Sequence, residues 1–284
     1  MEFLIIQTFN GISYAALLFL LGGGLTLVFG VMRVVNVAQG SFLLVGGYIG
    51  YTVITATGNF YLALATACLL IGFLGIGIER FLLRSLAGQD LRMMLITMGA
   101  ALFLQDLCLV IWGGNPLPLR VPSFLTGGIK VGRLYFSTLR FFMIGIAAVI
   151  FTALFLFEKK TRIGAMVRAA VDNSQMAEQL GINVPLVRME VFGLGAVLTA
   201  FGGVIACAFM DIYPGLDFEM LPLALVVVIL GGMGSLTGAL VGALIVGLTD
   251  NFGKALFPQL SYFTLFAPMA VMLALRPKGL FGRD

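Results

Sequence analysis

Long stretches without a single charged residue constrain this chain more than any other feature of its sequence. Residues 3–32, 34–78 and 220–249 contain no Asp, Glu, Lys or Arg, and residues 93–119 contain only Asp106. A helix needs about 20 mostly apolar residues to cross a hydrocarbon core about 30 Å thick. Charged residues make up 11% of the chain, whereas soluble domains contain about 25%. These stretches therefore predict membrane-spanning helices.

The longest uncharged stretches must contain more than one span, and their glycines indicate where they divide. Residues 34–78 split at Gly58-Asn59, and residues 220–249 split at the run Gly231-Gly-Met-Gly234. A continuous helix over 220–249 would be about 45 Å long, which is too long for one span. We therefore expect an all-α polytopic membrane bundle of eight or nine transmembrane helices, some of them broken, forming one domain over residues 1–284.

The distribution of Lys and Arg predicts the orientation of the bundle. With nine spans, twelve of the seventeen basic residues lie on one side, and the positive-inside rule places that side in the cytoplasm. The C-terminus and the polar loop 158–190 are then cytoplasmic, and the N-terminus is outside. The cytoplasmic set is Arg33, Arg80, Arg84, Arg92, Lys159, Lys160, Arg162, Arg168, Arg188, Arg276, Lys278 and Arg283. The other side keeps Arg120, Lys130, Arg133, Arg140 and Lys254, with an acidic turn of Asp211, Asp217 and Glu219.

A weak internal similarity suggests an inverted repeat. Gly22-Gly-Gly-Leu-Thr26 aligns with Gly195-Ala-Val-Leu-Thr199, and Gln39-Gly-Ser41 resembles Met233-Gly-Ser235. The two halves would run in opposite directions, which is a recurring transporter plan with interrupted helices near the membrane midplane. Chance similarity between apolar, glycine-rich segments is the alternative.

The sequence lacks the groups on which catalysis or energy conversion would depend. It contains no His, and it has no phosphate-binding loop, nucleophile motif or metal-ligand spacing. The run Gly22-Gly-Gly24 lies mid-span with no Lys after it, so close helix packing explains it best. We expect no catalytic residue, cofactor or metal. Without a basic cluster that contains aromatic residues, we do not expect nucleic acid as a partner either.

Few polar residues are predicted inside the membrane, and each has a structural alternative. Asp106 is a candidate buried charge, either functional or bonded to a neighbouring helix. Asn36, Gln39 and Ser41 gather where the first span meets the second, and they either line a path for solute or cap a helix. The candidate solute path comprises Asn36, Gln39, Ser41, Gly231, Gly234 and Ser235.

The longest polar segment, residues 158–190, predicts two short helices rather than a simple connector. The first covers residues 164–171. The second, residues 174–180, follows three residues that offer capping oxygens, Asp172, Asn173 and Ser174, and it ends at Gly181. Such a helix can dock into a groove on a partner protein, although an ordinary connecting loop is the alternative. Its apolar side chains are Met176, Ala177 and Leu180.

The loop also carries motifs that resemble the permease subunits of branched-chain amino-acid ATP-binding-cassette importers. They are Thr161-Arg-Ile-Gly-Ala-Met-Val-Arg-Ala-Ala170 and Ala177-Glu-Gln-Leu-Gly-Ile-Asn-Val184. The chain is similar to the smaller, H-type subunit of this family, but Gln39 replaces the His of many relatives, which puts substrate preference in doubt. Further matching motifs are Asn10-Gly-Ile-Ser-Tyr-Ala15 and residues 24–42, 231–238 and 276–282.

The resemblance implies a permease that moves Leu, Ile or Val across the bacterial cytoplasmic (inner) membrane, with urea, short amides or other amino acids as alternative solutes. It implies four partners: a second, related permease subunit, two cytoplasmic ATP-binding subunits and an extracytoplasmic solute-binding protein. The ATP-binding subunits would hydrolyse ATP and bind the loop 158–190. The loop residues expected to couple to them are Gly164, Arg168, Ala169, Ala170, Ala177, Gly181 and Ile182.

A stand-alone carrier driven by an ion gradient is the main alternative class. Such a carrier would need titratable residues buried in the membrane. The sequence offers Asp106 and Asp250 at best, so this alternative is less well supported.

Overall fold

A computed structural model describes residues 2–118, 125–131, 134–276 and 279–282 of the chain. Arg120, Arg133, Lys278 and Arg283, which contribute to the predicted charge asymmetry, lie outside these residues. The described part is a helical bundle with one antiparallel hairpin. Its elements are α1 (Glu2–Met32), α2 (Ala38–Thr57), α3 (Phe60–Ile78), α4 (Asp90–Trp112), β1 (Gly128–Val131), β2 (Leu134–Ser137), α5 (Thr138–Lys160), α6 (Arg162–Asp172), α7 (Ser174–Gln179), α8 (Val184–Phe209), α9 (Leu216–Gly231), α10 (Leu236–Leu256) and α11 (Ser261–Leu275).

Seven helices in the described part are long and apolar enough to cross a membrane, which confirms the all-α polytopic fold. They are α1, α2, α3 with its continuation to Leu86, α4, α5, α8 and α10. Helices α9 and α11 are also apolar but have only 16 and 15 residues. At a rise of 1.5 Å per residue, α9 is about 24 Å long, which is less than the hydrocarbon thickness. These seven helices fall short of the predicted eight or nine spans; one of the two short helices brings the number to eight, and both bring it to nine.

Both predicted breaks in the uncharged stretches are confirmed. At the first break, Gly58 has a φ of 70°, a left-handed conformation that glycine adopts without steric cost. The Asn59 side chain then accepts hydrogen bonds from the backbone N–H groups of Tyr61 and Leu62, at 3.0 and 3.1 Å. This N-cap starts α3 directly after α2. The second break falls between α9 and α10.

Helices α1 and α8 cross at the centre of the bundle through contact between glycines. A Cβ on Gly24 would lie 2.7 Å from the carbonyl oxygen of Gly195, and a Cβ on Gly195 would lie 2.9 Å from that of Gly24. Leu20 and Gly202 meet farther along the same helices, so α1 and α8 run antiparallel. Small residues allow this close approach of two backbones in a membrane.

The two halves of the bundle around this crossing have the same plan in opposite directions. In each half a long helix, α1 or α8, is followed by a non-helical return, residues 33–37 or 210–215, and by a helix that starts inside the bundle. These inner helices, α2 and α9, meet at their N-terminal ends, where the Asp217 carbonyl oxygen lies 2.8 Å from the Cβ position of Gly40. The arrangement supports the predicted inverted repeat.

One detail of the predicted repeat is wrong. The counterpart of Gln39–Ser41 is the start of α9, because α9 is the helix of the second half that begins inside the bundle. Residues 233–235 instead connect α9 to α10, and Gly234 packs against Gly30 near the end of α1. We call the end of the bundle that carries α6 and α7 the loop end, and the end that carries β1 and β2 the hairpin end.

Close packing between α2 and α8 generates a first prediction. A Cβ on Gly203 of α8 would clash with the carbonyl oxygen of Leu43 in α2. We expect Gly203→Ala to lower the free energy of unfolding by about 1–3 kcal/mol, because the helices must move apart. The melting temperature in detergent measures this loss.

The matched control for this substitution is Gly145→Ala in α5. The Cβ position of Gly145 has open space around it, so alanine should be neutral or should stabilise the helix by up to about 1 kcal/mol. Equal melting temperatures for the two variants would contradict the packing argument.

Candidate functional site

Three predicted polar residues, Asn36, Gln39 and Ser41, lie together at the start of α2 and are buried. Asn36 Nδ2 donates a hydrogen bond to Gln39 Oε1 at 3.1 Å, and Asn36 Oδ1 accepts one from the backbone N–H of Ala38 at 3.1 Å. Asn36 therefore caps α2, which was one of the two predicted alternatives, and it also orients the Gln39 side chain. These three residues, with Thr199 and Asp217, are called the central polar cluster below.

Gln39 joins α2 to the middle of α8. Its Nε2 group donates to the carbonyl oxygen of Gly195 at 2.8 Å and also to Thr199 Oγ1. The Thr199 hydroxyl donates to the same Gly195 carbonyl at 3.0 Å. An amide group carries two hydrogens, so both are used in these two bonds. A Cβ on Gly24 would lie 2.8 Å from Gln39 Nε2, so glycine at this position leaves room for the bridge.

Ser41 joins α2 to both α4 and α9. Its hydroxyl lies 2.9 Å from Asp217 Oδ2 and 3.3 Å from the carbonyl oxygen of Ala101, and either oxygen can accept its proton. Asp217 is only 2% exposed and lies in the first turn of α9. The positive end of the helix dipole favours a carboxylate there. The central polar cluster thus contains a buried acid.

Sequence reasoning missed the place of Asp217 and assigned it to an acidic turn outside the membrane. Two features of the sequence mark a helix start here, although neither shows that the preceding turn folds back into the bundle. Gly215 precedes the apolar run, and acidic residues follow in the first turn, which is typical of a helix start. The apolar helix therefore begins at Leu216, before the uncharged stretch itself.

The predicted burial of Asp106 is wrong for the chain as described. Asp106 is exposed on α4, because α4 fully buries only one narrow stripe of residues and Asp106 lies outside it. Asp250, in contrast, is buried and forms an ion pair with Lys254 at 2.7 Å. The buried stripe of α4 consists of Met93, Thr97, Ala101, Leu104 and Cys108.

The other candidate path residues lie apart from the central polar cluster, at the turn between α9 and α10. Gly231 packs against Gly238 across this turn, and its carbonyl oxygen accepts a hydrogen bond from the Phe281 N–H at 3.0 Å. Ser235 Oγ accepts from the Gly238 N–H at 3.1 Å and caps α10. Gly234 has a φ of 82° at the loop end. The structure therefore divides the predicted path into two separate groups.

The segment between α5 and α8 forms two capped helices, close to the predicted bounds. Thr161 Oγ1 accepts a hydrogen bond from the Gly164 N–H at 3.0 Å and starts α6. Asn173 Oδ1 accepts one from the Met176 N–H at 3.0 Å and starts α7, so Asn173 is the cap among the three predicted candidates. Gly181 has a φ of 85° beyond the end of α7, as expected for a glycine that ends a helix.

These helices pack onto the start of α8 and the end of α1 through small apolar side chains. Residues 161–191 are called the loop unit below. Its buried core comprises Val167, Ala170, Ala177, Val184, Val187 and Val191, with Val31 of α1. Gly164 is also buried, while Arg168, Ala169 and Ile182 are half-buried and Gly181 is exposed.

The outer face of α7 differs from the predicted docking face in one residue. Met176 and Leu180 are 59% and 76% exposed, but Ala177 is buried at 2%. Ala177 therefore belongs to the core of the loop unit, and the exposed apolar surface here consists of Met176 in α7 and Leu180, the residue directly after it. A bulky residue at position 177 would disturb this core rather than test docking.

Comparison with known proteins identifies full-length relatives. The sequence profile of the family described as "Branched-chain amino acid transport system / permease component" matches residues 7–275. The chain is 28% identical to the high-affinity branched-chain amino acid transport system permease protein BraD of Pseudomonas aeruginosa, over 98% of this chain and 95% of that protein. The permease protein LivH of the corresponding Escherichia coli system has the same identity and coverage. The ribose import permease protein RbsC of Haemophilus influenzae is 27% identical over 84% of this chain and 74% of its own length. No solved structure matches the chain.

The hydrogen bonds of Gln39 generate a second prediction. Gln39→Leu removes both donors at once, and each buried polar group left unpaired costs about 1–3 kcal/mol. In a double-mutant cycle with Thr199→Val, the two changes should show a coupling energy of about 0.5–3 kcal/mol, because they share one hydrogen bond. The free energies come from unfolding curves in detergent.

A control for the loss of a threonine hydroxyl is Thr66→Val, because Thr66 bonds only to the Leu62 and Ala63 carbonyls of its own helix. Thr66→Val and Gln39→Leu should be additive. Additive effects of Gln39→Leu and Thr199→Val would contradict the bridge.

Proposed function

The chain belongs to the family of permease components of branched-chain amino acid transport systems, and from this membership we propose its role in an importer. The protein forms part of the membrane channel of an ATP-binding-cassette importer for Leu, Ile and Val. Its partners are a second, related permease subunit, two ATP-binding subunits in the cytoplasm and an extracytoplasmic solute-binding protein. ATP is hydrolysed by the ATP-binding subunits, and this chain converts their movement into transport.

The strongest support for this proposal is the structure of the loop unit. Its core is built into the bundle through α1 and α8, so a force applied to α7 acts on the membrane helices directly. Met176 in α7 and Leu180 directly after it are large, exposed apolar side chains. Apolar anchors on one face of a short helix are what a groove on a partner protein binds. These features support docking of an ATP-binding subunit on α7.

The arrangement of the chain ends supports the proposed orientation. Leu280 and Phe281 of the C-terminal segment bond to the last residues of α9, and Gly234, just after α9, contacts Gly30 near the loop unit. The C-terminal segment and the loop unit are therefore at the same end of the bundle. In the proposed orientation this loop end faces the cytoplasm, and the N-terminus of α1 and the hairpin end face outward.

The central polar cluster is the proposed part of this chain that lines the solute path. Asn36, Gln39 and Ser41 offer neutral groups that suit a zwitterion with an apolar side chain. In the state described, Gln39 donates both amide hydrogens, one to Gly195 and one to Thr199. The path must therefore open before Gln39 can contact solute. Gly231, Gly234 and Ser235 are engaged at the loop end instead, which argues against a place in the same site.

Two alternatives to this proposal differ in the solute or in the energy source. The similarity to the permeases named BraD and LivH supports branched-chain amino acids. Urea, short amides and other amino acids remain alternative solutes, and the similarity to ribose import permeases adds sugars to the comparison. A stand-alone ion-coupled carrier is less well supported, because the buried Asp250 is paired with Lys254 and Asp217 accepts from Ser41.

The proposal predicts the requirements for uptake. In vesicles that contain the assembled importer, labelled L-leucine should accumulate only with internal ATP and external binding protein. Excess unlabelled isoleucine or valine should compete with it, and urea, acetamide and ribose should not. Accumulation driven by an ion gradient with this chain alone would reject the importer, and competition by urea would change the assigned solute.

The exposed face of α7 generates a further prediction. Leu180→Glu places a charge at an apolar anchor, and loss of such an anchor typically costs 2 kcal/mol or more, so binding of the ATP-binding subunits should weaken by about tenfold or more. Co-purification and leucine uptake measure the effect. The folded membrane protein should be unaffected, because Leu180 lies outside the core of the loop unit.

Ser85→Glu is the matched control for this charge. Ser85 is exposed beyond the end of α3. The substitution adds the same charge as Leu180→Glu without changing α7. We expect normal co-purification for Ser85→Glu. Normal co-purification and uptake in Leu180→Glu as well would reject the docking role of α7.

A further inference from the structure

The junction between α1 and α2, residues 33–37, connects the loop unit to the central polar cluster. The backbone N–H of Arg33 donates to the Phe29 carbonyl oxygen at 2.7 Å and closes the last turn of α1. Its side chain reaches α6, where Nη2 donates to the Val171 carbonyl oxygen at 3.0 Å. Asn36, three residues later, already belongs to the cluster. One short segment therefore contacts both regions.

The backbone of Arg33 has an unusual conformation. Its φ is 56°, and it is the sole non-glycine residue with a positive φ among those the structure describes. A residue with a Cβ adopts this region at a steric cost that glycine does not have. Retention of a disfavoured conformation points to a role for the side chain. The interaction that this side chain makes is its bond to α6.

The bond joins Arg33 to a place where a cation is favoured. Val171 is the penultimate residue of α6, and the last carbonyl groups of a helix have no partner within the helix. They also form the negative end of the helix dipole. The Val171 side chain lies 3.7 Å from the Cβ position of Gly30, and Val31 is part of the core of the loop unit. Movement of α6 must therefore act on the last turn of α1 and on Arg33.

We propose that Arg33 is a positioning residue that transmits movement of the loop unit to the central polar cluster during transport. The inference rests on the proposed function. The non-helical residues 33–37 supply the flexibility that hinge segments need. When the loop unit moves, the Arg33–Val171 bond carries the junction with it, and Gln39 shifts relative to its partners Gly195 and Thr199 in α8.

The test compares Arg33→Gly, Arg33→Lys and the unchanged protein in the complete importer reconstituted in vesicles. Glycine accepts the left-handed backbone and removes only the side chain, so assembly, melting temperature and ATP hydrolysis should stay normal. The amount of labelled L-leucine taken up per ATP hydrolysed should fall by roughly tenfold, which is within the usual range of coupling between sites. Arg33→Lys keeps a cationic donor and should recover most of this ratio.

Arg92→Ala is the control for loss of a positive charge at the loop end of the bundle, where Arg92 lies in the first turn of α4. The Arg92 side chain bonds to Gln89, just ahead of its own helix, so leucine uptake per ATP should equal that of the unchanged protein. An unchanged ratio in Arg33→Gly would overturn the inference. A parallel loss of melting temperature, ATP hydrolysis and uptake without recovery in Arg33→Lys would also overturn it, because that pattern marks a purely structural role. Absence of ATP-driven leucine uptake in the unchanged importer would reject the proposed function itself.

Discussion

The centre of this protein depends on the backbone contact between Gly24 and Gly195. In lipid there is no hydrophobic force between helices, so close contact between small residues has to hold them together. A Cβ on Gly24 would also meet Thr199 Oγ1 and Gln39 Nε2, at 2.7 and 2.8 Å. The glycine thus brings α1 close to α8 and leaves room for the side chain that ties α2 to the same place. Helix packing and the central polar cluster are consequences of one contact.

Helices α2 and α9 begin inside the bundle, so their first N–H groups need hydrogen-bond partners. These groups have no helical partner, and water is scarce at this depth. For α2, the Val37 N–H donates to Thr97 Oγ1 at 3.3 Å and the Ala38 N–H donates to Asn36 Oδ1 at 3.1 Å. For α9, the carboxylate of Asp217 lies in the first turn. The polar residues at the centre therefore have a structural task that any role in solute passage must accommodate.

The helices could be predicted from the sequence because charge is excluded from the spans and glycine marks their breaks. The site could be predicted only in part. Asp217 lies in the first turn of α9, and although the sequence marks a helix start there, it does not reveal that the preceding turn folds back into the bundle. Asp106 faces outward because α4 buries one stripe only. The orientation of Ala177 was missed because α7 has 6 residues, which are too few for a helical period to identify the buried face.

Under the proposed function, the loop unit has two connections to the central polar cluster, and they end on opposite sides of one hydrogen bond. Helix α8 leaves the loop unit after Val191 and carries Thr199 about two turns farther on. The Arg33 junction leads to Gln39, which donates to Thr199. If both connections move together, the bond survives and the cluster shifts as a unit; if they move differently, the bond must break. A broken bond leaves buried donors unpaired at a substantial cost. The carboxylate of an amino-acid solute can accept those donors, so opening of the cluster costs least when solute is present.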